Sequence, residues 1–334
     1  MKFEEILTDL KNKIYKPVYF LHGEEEYYID LITDYIANNI LEESDREFNQ
    51  TILYGKDVNT GIIVDTARRF PMMSNYQVVI VKEAQAVRDI DELARYVEKP
   101  VETTILVICY KHKTYDARKS LAKSSKKTGL LFKSDRLYDN KIPAWINSQL
   151  KEEGYSITPE AARLLTGSLG TDLTKIKMEL GKLIINLKAG DVINEDIIEK
   201  NIGISKDFNV FELQKALGNG DIYKANLIVK HFAANPRSNP FVLTITLLYQ
   251  FYNKILIFHS LKDKSKDNSV AAELSVNPFF VRDYRKAAKR FNVERTINAI
   301  SLLREYDLKS KGLNNASASD GELLKELIFK IMHQ

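Results

Sequence analysis

The chain has 334 residues, more than one hydrophobic core usually serves, so two or three domains are expected. Hydrophobic residues make up 44% and charged residues 28%, an ordinary globular balance that excludes a disordered chain, and one cysteine excludes a disulfide scaffold or a zinc knuckle. Forty-nine basic against 45 acidic residues leave a net charge of +4, so only a local concentration of charge can argue for nucleic acid.

The first ~140 residues alternate between helical and strand patterns. Phe3 to Lys13 carries Phe3, Ile6, Leu7 and Leu10 at helical spacing. Pro17 to His22 is a short apolar strand ended by Gly23, and Tyr28 to Leu41 reads as a helix. Phe48 to Tyr54 is a second strand, Gly61 to Arg69 a helix, and Gln77 to Val81 a β-branched strand. Asp89 to Val97 is a helix before the buried strand Thr104 to Tyr110. Strands with little alternation, separated by helices, predict a parallel sheet covered on both faces. Cys109 ends an apolar run, which predicts a buried, unreactive thiol and a reducing, cytoplasmic home. Met1 to Leu10 carries Lys2, Glu4, Glu5 and Asp9, so no signal peptide is expected, and no apolar stretch reads as long enough to span a bilayer.

After about Asn140 the strands are expected to stop. Thr158-Pro159, Asn239-Pro240 and Asn277-Pro278 each pair a capping side chain with proline at the first helical position. Ser319 to Glu322 matches a capping box. Helices are predicted over Ile142 to Glu153, Glu160 to Gly167, Asp172 to Leu187 and Glu195 to Asn201. Ile202 to Phe208 reads as a linker, Val210 onward as five or six helices, and Lys262 to Asn268 as a polar loop.

A strand, a glycine and a helix near the N-terminus are the layout of a phosphate loop, which needs a second glycine, a lysine and a Ser or Thr. Here Gly23 is followed by Glu24, Glu25 and Glu26, carboxylates that would repel a triphosphate and favour a helix N-terminus. The strands Val78 to Val81 and Ile105 to Cys109 run into Lys82-Glu83 and Tyr110-Lys111 rather than a metal-binding Asp. Five scattered histidines give no metal spacing, and no Gly-x-Ser-x-Gly turn occurs. No catalytic residue, metal or cofactor is therefore expected. Two positive features remain. Lys111, Lys113, Arg118, Lys119, Lys123, Lys126, Lys127, Lys133 and Arg136 form a basic stretch that suits phosphate backbone, an acidic protein face, or simply a solvated helix and loop. Phe70, Met72 and Met73, with Pro71, form an apolar cluster where a turn should be polar, either core or anchors for a partner's pocket.

Several strings together resemble the delta subunit of bacterial DNA polymerase III: Pro17 to Asp30, Phe70 to Val81, Gly170 to Leu183, Phe208 to Asp221, and Tyr306 to Gly312. The resemblance implies an AAA+-like α/β domain over 1–140, a parallel sheet with helices on both faces. A small helical lid over 141–207 and an all-α collar over 208–334 would follow. It implies a clamp-loader subunit that binds no ATP and holds the ring-shaped sliding clamp open for loading onto primed DNA. Its partners would be the clamp, the ATP-binding gamma/tau subunits and the delta-prime subunit. Its clamp-binding residues map onto Phe70, Pro71, Met72 and Met73, where the family often has a Leu-Phe pair in place of Met72-Met73. The competing readings are a divergent AAA+ ATPase and a stand-alone DNA binder using the basic stretch and Arg282 to Arg290.

Overall fold

The β-branched runs assemble into a five-stranded parallel sheet within residues 1–137 of the computed structural model, which describes every residue except 189 and 316. The strands are β1 (Val18–Gly23), β2 (Gln50–Tyr54), β3 (Gln77–Lys82), β4 (Thr104–Lys111) and β5 (Leu130–Ser134), in the order β2-β3-β4-β1-β5. Around them are α1 (Phe3–Lys11), α2 (Glu26–Asn39), α3 (Glu43–Asn49), α4 (Thr60–Ala67), α5 (Ala94–Glu98) and α6 (Ser120–Thr128).

Alternate strand residues point to opposite faces, and both faces are buried. Val18, Phe20, Val79, Val81, Leu106 and Ile108 pack with Ile63, Leu93, Val97 and Leu121 from the helices on one side. Tyr19, Leu21, Val78, Ile80, Ile105, Val107 and Cys109 pack with Ile6, Leu10, Ile29, Ile32 and Ile36 on the other. Each such side chain contributes about 1.5–3 kcal/mol of burial, so a polar residue at Phe20 or Ile80 would break the layer. Cys109 is buried as expected, 3.2 Å from the Thr33 hydroxyl, and burial pushes its thiol up to about 11.

Three local expectations change. The strand expected from Phe48 begins only at Gln50, because α3 runs through Asn49. Asp89 to Val97 is broken: Asp89 is left-handed (φ 52°), a 3-10 turn spans Ile90–Leu93, and α5 follows. The basic stretch holds α6 and then a fifth strand, which pairs in parallel with β1 from Tyr19 with Leu130 to His22 with Lys133.

Residues 138–334 form the second compact unit. Its elements are α7 (Ile142–Glu152), β6 (Ser156–Ile157), α8 (Pro159–Leu169), α9 (Leu173–Ile185), β7 (Val192–Ile193) and α10 (Glu195–Ile202). They continue with α11 (Val210–Asn219), α12 (Ile222–Ala234), α13 (Phe241–Ser260), α14 (Asp267–Leu274), α15 (Val281–Arg290), α16 (Val293–Ser310) and α17 (Asp320–Met332). Strands do not stop at Asn140, since β6 and β7 pair in parallel where the chain flanks α8 and α10. Seven α-helices follow the linker among the described residues, rather than five or six. Thr158, Asn277 and Ser319 cap as expected, Ser319 within a capping box. Asn239 does not: α13 starts at Phe241, and the Asn239 amide instead donates to the Asn235 carbonyl.

The twenty-residue α13 is long and apolar enough by length and composition to cross a bilayer, contrary to the sequence reading. Its apolar stripe is nevertheless used internally. Phe241, Ile245, Leu248, Tyr252, Ile255 and Phe258 recur at helical spacing and are buried in the core of the seven-helix region.

Candidate functional site

The loop from Arg68 to Tyr76 leaves α4 and enters β3, and polar side chains hold its base. Helix C-termini leave carbonyls without intrahelical donors. Here the Gln77 amide, only 7% exposed, donates to the carbonyls of Thr66 (3.4 Å), Ala67 (3.2 Å) and Arg69. The Ala67 carbonyl also accepts from the hydroxyls of Thr104 (2.8 Å) and Tyr96 (3.1 Å). The loop's middle is held by Asn49, 4% exposed at the end of α3. Its amide donates to the Met72 carbonyl (2.9 Å), and its oxygen accepts the Met72 N–H (2.6 Å).

The side chains on this fixed backbone face water. Phe70 is 78% exposed, Met72 63%, and Met73 fully so, while Pro71 is half-buried. Met73 has φ 55°, a left-handed conformation that costs an L-residue about 1–2 kcal/mol. Such strain persists where surrounding contacts fix the chain, and Asn49 supplies those contacts next door. The core alternative for this cluster is therefore excluded: the three large apolar groups are presented, not packed. Three exposed apolar side chains on a fixed backbone can fill a preformed apolar pocket without first ordering a loop.

The turn after β1 has a different character. Gly23 has φ 146°, and a Cβ there would lie 1.9 Å from the Ser134 carbonyl oxygen, so β5 packs against bare backbone. Only Glu24 and Glu25 separate Gly23 from α2. Glu25 is buried, and its carboxylate accepts the Tyr27 N–H (3.1 Å) as the helix N-cap. A chain carboxylate thus occupies the place where a phosphate would meet the helix N-terminus. Glu24 is exposed, and Glu26 lies 3.7 Å from Lys111 and 3.9 Å from His112.

The basic stretch divides. Lys111 is largely buried and paired with Asp30 (2.6 Å); burial opposes its charge, but the Asp30 contact raises its pKa overall. Arg118 pairs with Asp116 (2.8 Å), Lys119 with Asp91 (2.7 Å) and Lys133 with Asp135 (2.6 Å). Lys113 lies 5.5 Å from the Tyr110 ring centre. Lys123, Lys126 and Lys127 share the exposed face of α6. Sequence reasoning missed Asn49 and Gln77, because each acts on backbone many residues away. The one readable signal was a glutamine opening an otherwise apolar strand.

Comparison with known proteins follows the same outline. A family described as DNA polymerase III, delta subunit, matches residues 19–134, and one described as the delta subunit's C-terminal domain matches residues 207–329. The DNA polymerase III subunit delta of Bacillus subtilis (strain 168) is 22% identical over 333 residues, covering 97% of this chain and 94% of that protein. The solved structure of the Bacillus subtilis DNA clamp loader delta protein shares the fold, with a TM-score of 0.59, 20% identity and complete coverage of both chains. With the parallel sheet, the helical second unit and both family regions in order along the sequence, the chain belongs to the DNA polymerase III delta-subunit family, the clamp-loader delta component of the polymerase holoenzyme.

Proposed function

We propose that this chain binds the sliding clamp through Phe70, Pro71, Met72 and Met73 and holds the ring open for loading onto primed DNA. The observation that carries the reading is the presentation of three large apolar side chains on a loop whose backbone Asn49 and Gln77 hold. Burying each in a partner's pocket is worth about 1.5–3 kcal/mol, enough for a small set of anchors to dominate an interface.

Ring opening then needs no chemistry in this chain. A closed ring spends some time strained or open, and a protein that prefers the open form shifts that population by its differential affinity alone. ATP work falls to the neighbouring ATP-binding gamma/tau type subunits, with the delta-prime type subunit beside them. The support is the Glu25 carboxylate at the N-terminus of α2, which fills and repels where a phosphate would bind. The helices from α11 to α17 serve as the collar that joins those neighbours, α7 to α10 as the lid, and the exposed lysines of α6 as a face toward DNA. A cytoplasmic setting suits the single buried thiol.

Clamp binding by the isolated chain without nucleotide is the direct test. Met72→Ala with Met73→Ala should weaken it by about 2 kcal/mol or more, roughly thirtyfold, while far-UV circular dichroism stays unchanged. Unchanged affinity in the folded double variant would overturn the site. Tight, magnesium-dependent ATP binding in calorimetry would overturn the division of labour.

A further inference from the structure

Within residues 138–334 a cavity of about 870 Å³ opens between α8, α11, α13 and the turn at Pro278–Phe280. Lys141, Arg163 and Lys254 line it against one carboxylate, Asp139. Arg163 is held there against two rings: its guanidinium lies 4.2 Å from the Phe211 ring centre and 4.4 Å from that of Phe280. Its edge is set by Gln214, whose oxygen accepts one N–H at 2.7 Å. Gln214 is buried and itself donates to the Leu247 carbonyl at 2.9 Å. Gly167, one turn beyond Arg163, lets the Phe211 ring approach so closely that a Cβ would lie 2.4 Å from it. The guanidinium is therefore fixed in position and plane.

Among the described residues its charge has no ion-pair partner, and Asp283 and Glu212 favour it only from a distance. Among the described residues, the partners of Arg163 and Lys254 are the neutral Gln214 and, at 3.5 Å, the Ser275 carbonyl. Ring faces offset only part of the desolvation of a guanidinium, and a second cation on the same cavity adds repulsion. Burial holds Arg163 below its usual pKa, and burial followed by Arg163 does the same to Lys254. Among the described residues Gln214 alone accepts from the Arg163 guanidinium, so its other in-plane N–H groups are free to donate to a ligand in the cavity.

We propose that this cavity binds the phosphate group of a small phosphorylated molecule, held in plane by the unused N–H groups of Arg163 and by the Lys254 ammonium. A phosphate monoester carries a charge of about −2, which matches the excess of cations, whereas one carboxylate would leave a charge over. A planar guanidinium with a mobile ammonium beside it is a phosphate-binding pair. The volume lies within the range of small-ligand sites. The inference does not rest on clamp binding and is unaffected if that reading fails.

Calorimetry of the full chain with inorganic phosphate and with AMP, at constant ionic strength set by chloride, tests it. Saturable binding of phosphate alone identifies free phosphate as the source; tighter binding of AMP identifies a phosphate ester; either supports the site. Lys254→Gln should weaken binding about tenfold without lowering the thermal midpoint in chloride. Arg163→Lys, which keeps the charge but loses the plane, should weaken it further. No saturable heat from either ligand up to about 10 mM, or unchanged affinity in Lys254→Gln, overturns the proposal. Because Lys254 does not pack against Phe211 or Phe280, its variant decides the matter even where Arg163→Lys fails to fold.

Discussion

Asn49 shows how one side chain can set an interaction surface without belonging to it. Its amide mimics a strand neighbour, offering a donor and an acceptor to the same residue, Met72. Asn49→Ala should leave the apolar tip intact but let its backbone move. Clamp affinity should fall by about 1 kcal/mol, roughly fivefold, and the Met72 amide should exchange hydrogen faster. Fast exchange with unchanged affinity would separate loop order from binding. His22 carries a different consequence. It is buried in β1, and its Nδ1 accepts the Tyr115 N–H at 3.2 Å, which requires that nitrogen to be unprotonated. Burial, and then Lys133, hold its pKa below the ordinary value of 6.5. As pH falls through about 6.5 the unfolded chain takes up a proton that the folded chain resists, so stability declines until the folded-state pKa is passed. Thermal melts from pH 7.5 to 5.5 should therefore slope more gently in His22→Gln than in the parent, about these pH values.

At the scale of elements, caps do much of the specifying. Ser319 and Glu322 satisfy each other's backbone at the start of α17, whose buried face includes Leu323, Leu327 and Ile331. Ser319→Ala should cost about 1 kcal/mol in urea unfolding, and Ser319→Asp much less. This cap was legible in the sequence because it is local, as were those at Thr158 and Asn277. The central strands were legible for another reason: residues buried on both faces leave unbroken apolar runs, as in Val78 to Val81 and Ile105 to Cys109. The strand β5 was not. Leu130 to Ser134 includes Lys133 and follows a lysine-rich helix, so only its pairing with β1 makes it a strand. The same holds for β6 and β7, two residues each, which exist through their mutual register and not through their own pattern. Asn239 erred in the other direction, since a cap-like pair of residues lost to a neighbouring hydrogen bond. Of the candidate site, the apolar composition of Phe70 to Met73 could be read, but not its exposure. A cluster of Phe and Met is equally suited to a core, and the deciding contacts come from Asn49 and Gln77.

For the whole molecule, the chain separates into residues 1–137 and 138–334, units that each carry a core. The sheet unit holds the proposed clamp anchors and both of its own apolar layers. A fragment of residues 1–137 should thus fold by circular dichroism and bind the clamp within about threefold of the full chain, as expected of a unit with its own core. A folded fragment that fails to bind would place part of the clamp surface elsewhere in the chain. The junction suits such a cut, because Tyr138 is 76% exposed just after it.

The thiol of Cys109 lies inside the sheet layer beside Thr33, and burial raises its pKa to about 11. Almost none of it is thiolate near neutral pH, and reagents cannot reach it. The native chain is therefore silent to maleimides. A cysteine introduced at the exposed Met73 could carry a fluorophore at one defined point, and its emission would report clamp engagement directly, with no background from the rest of the protein.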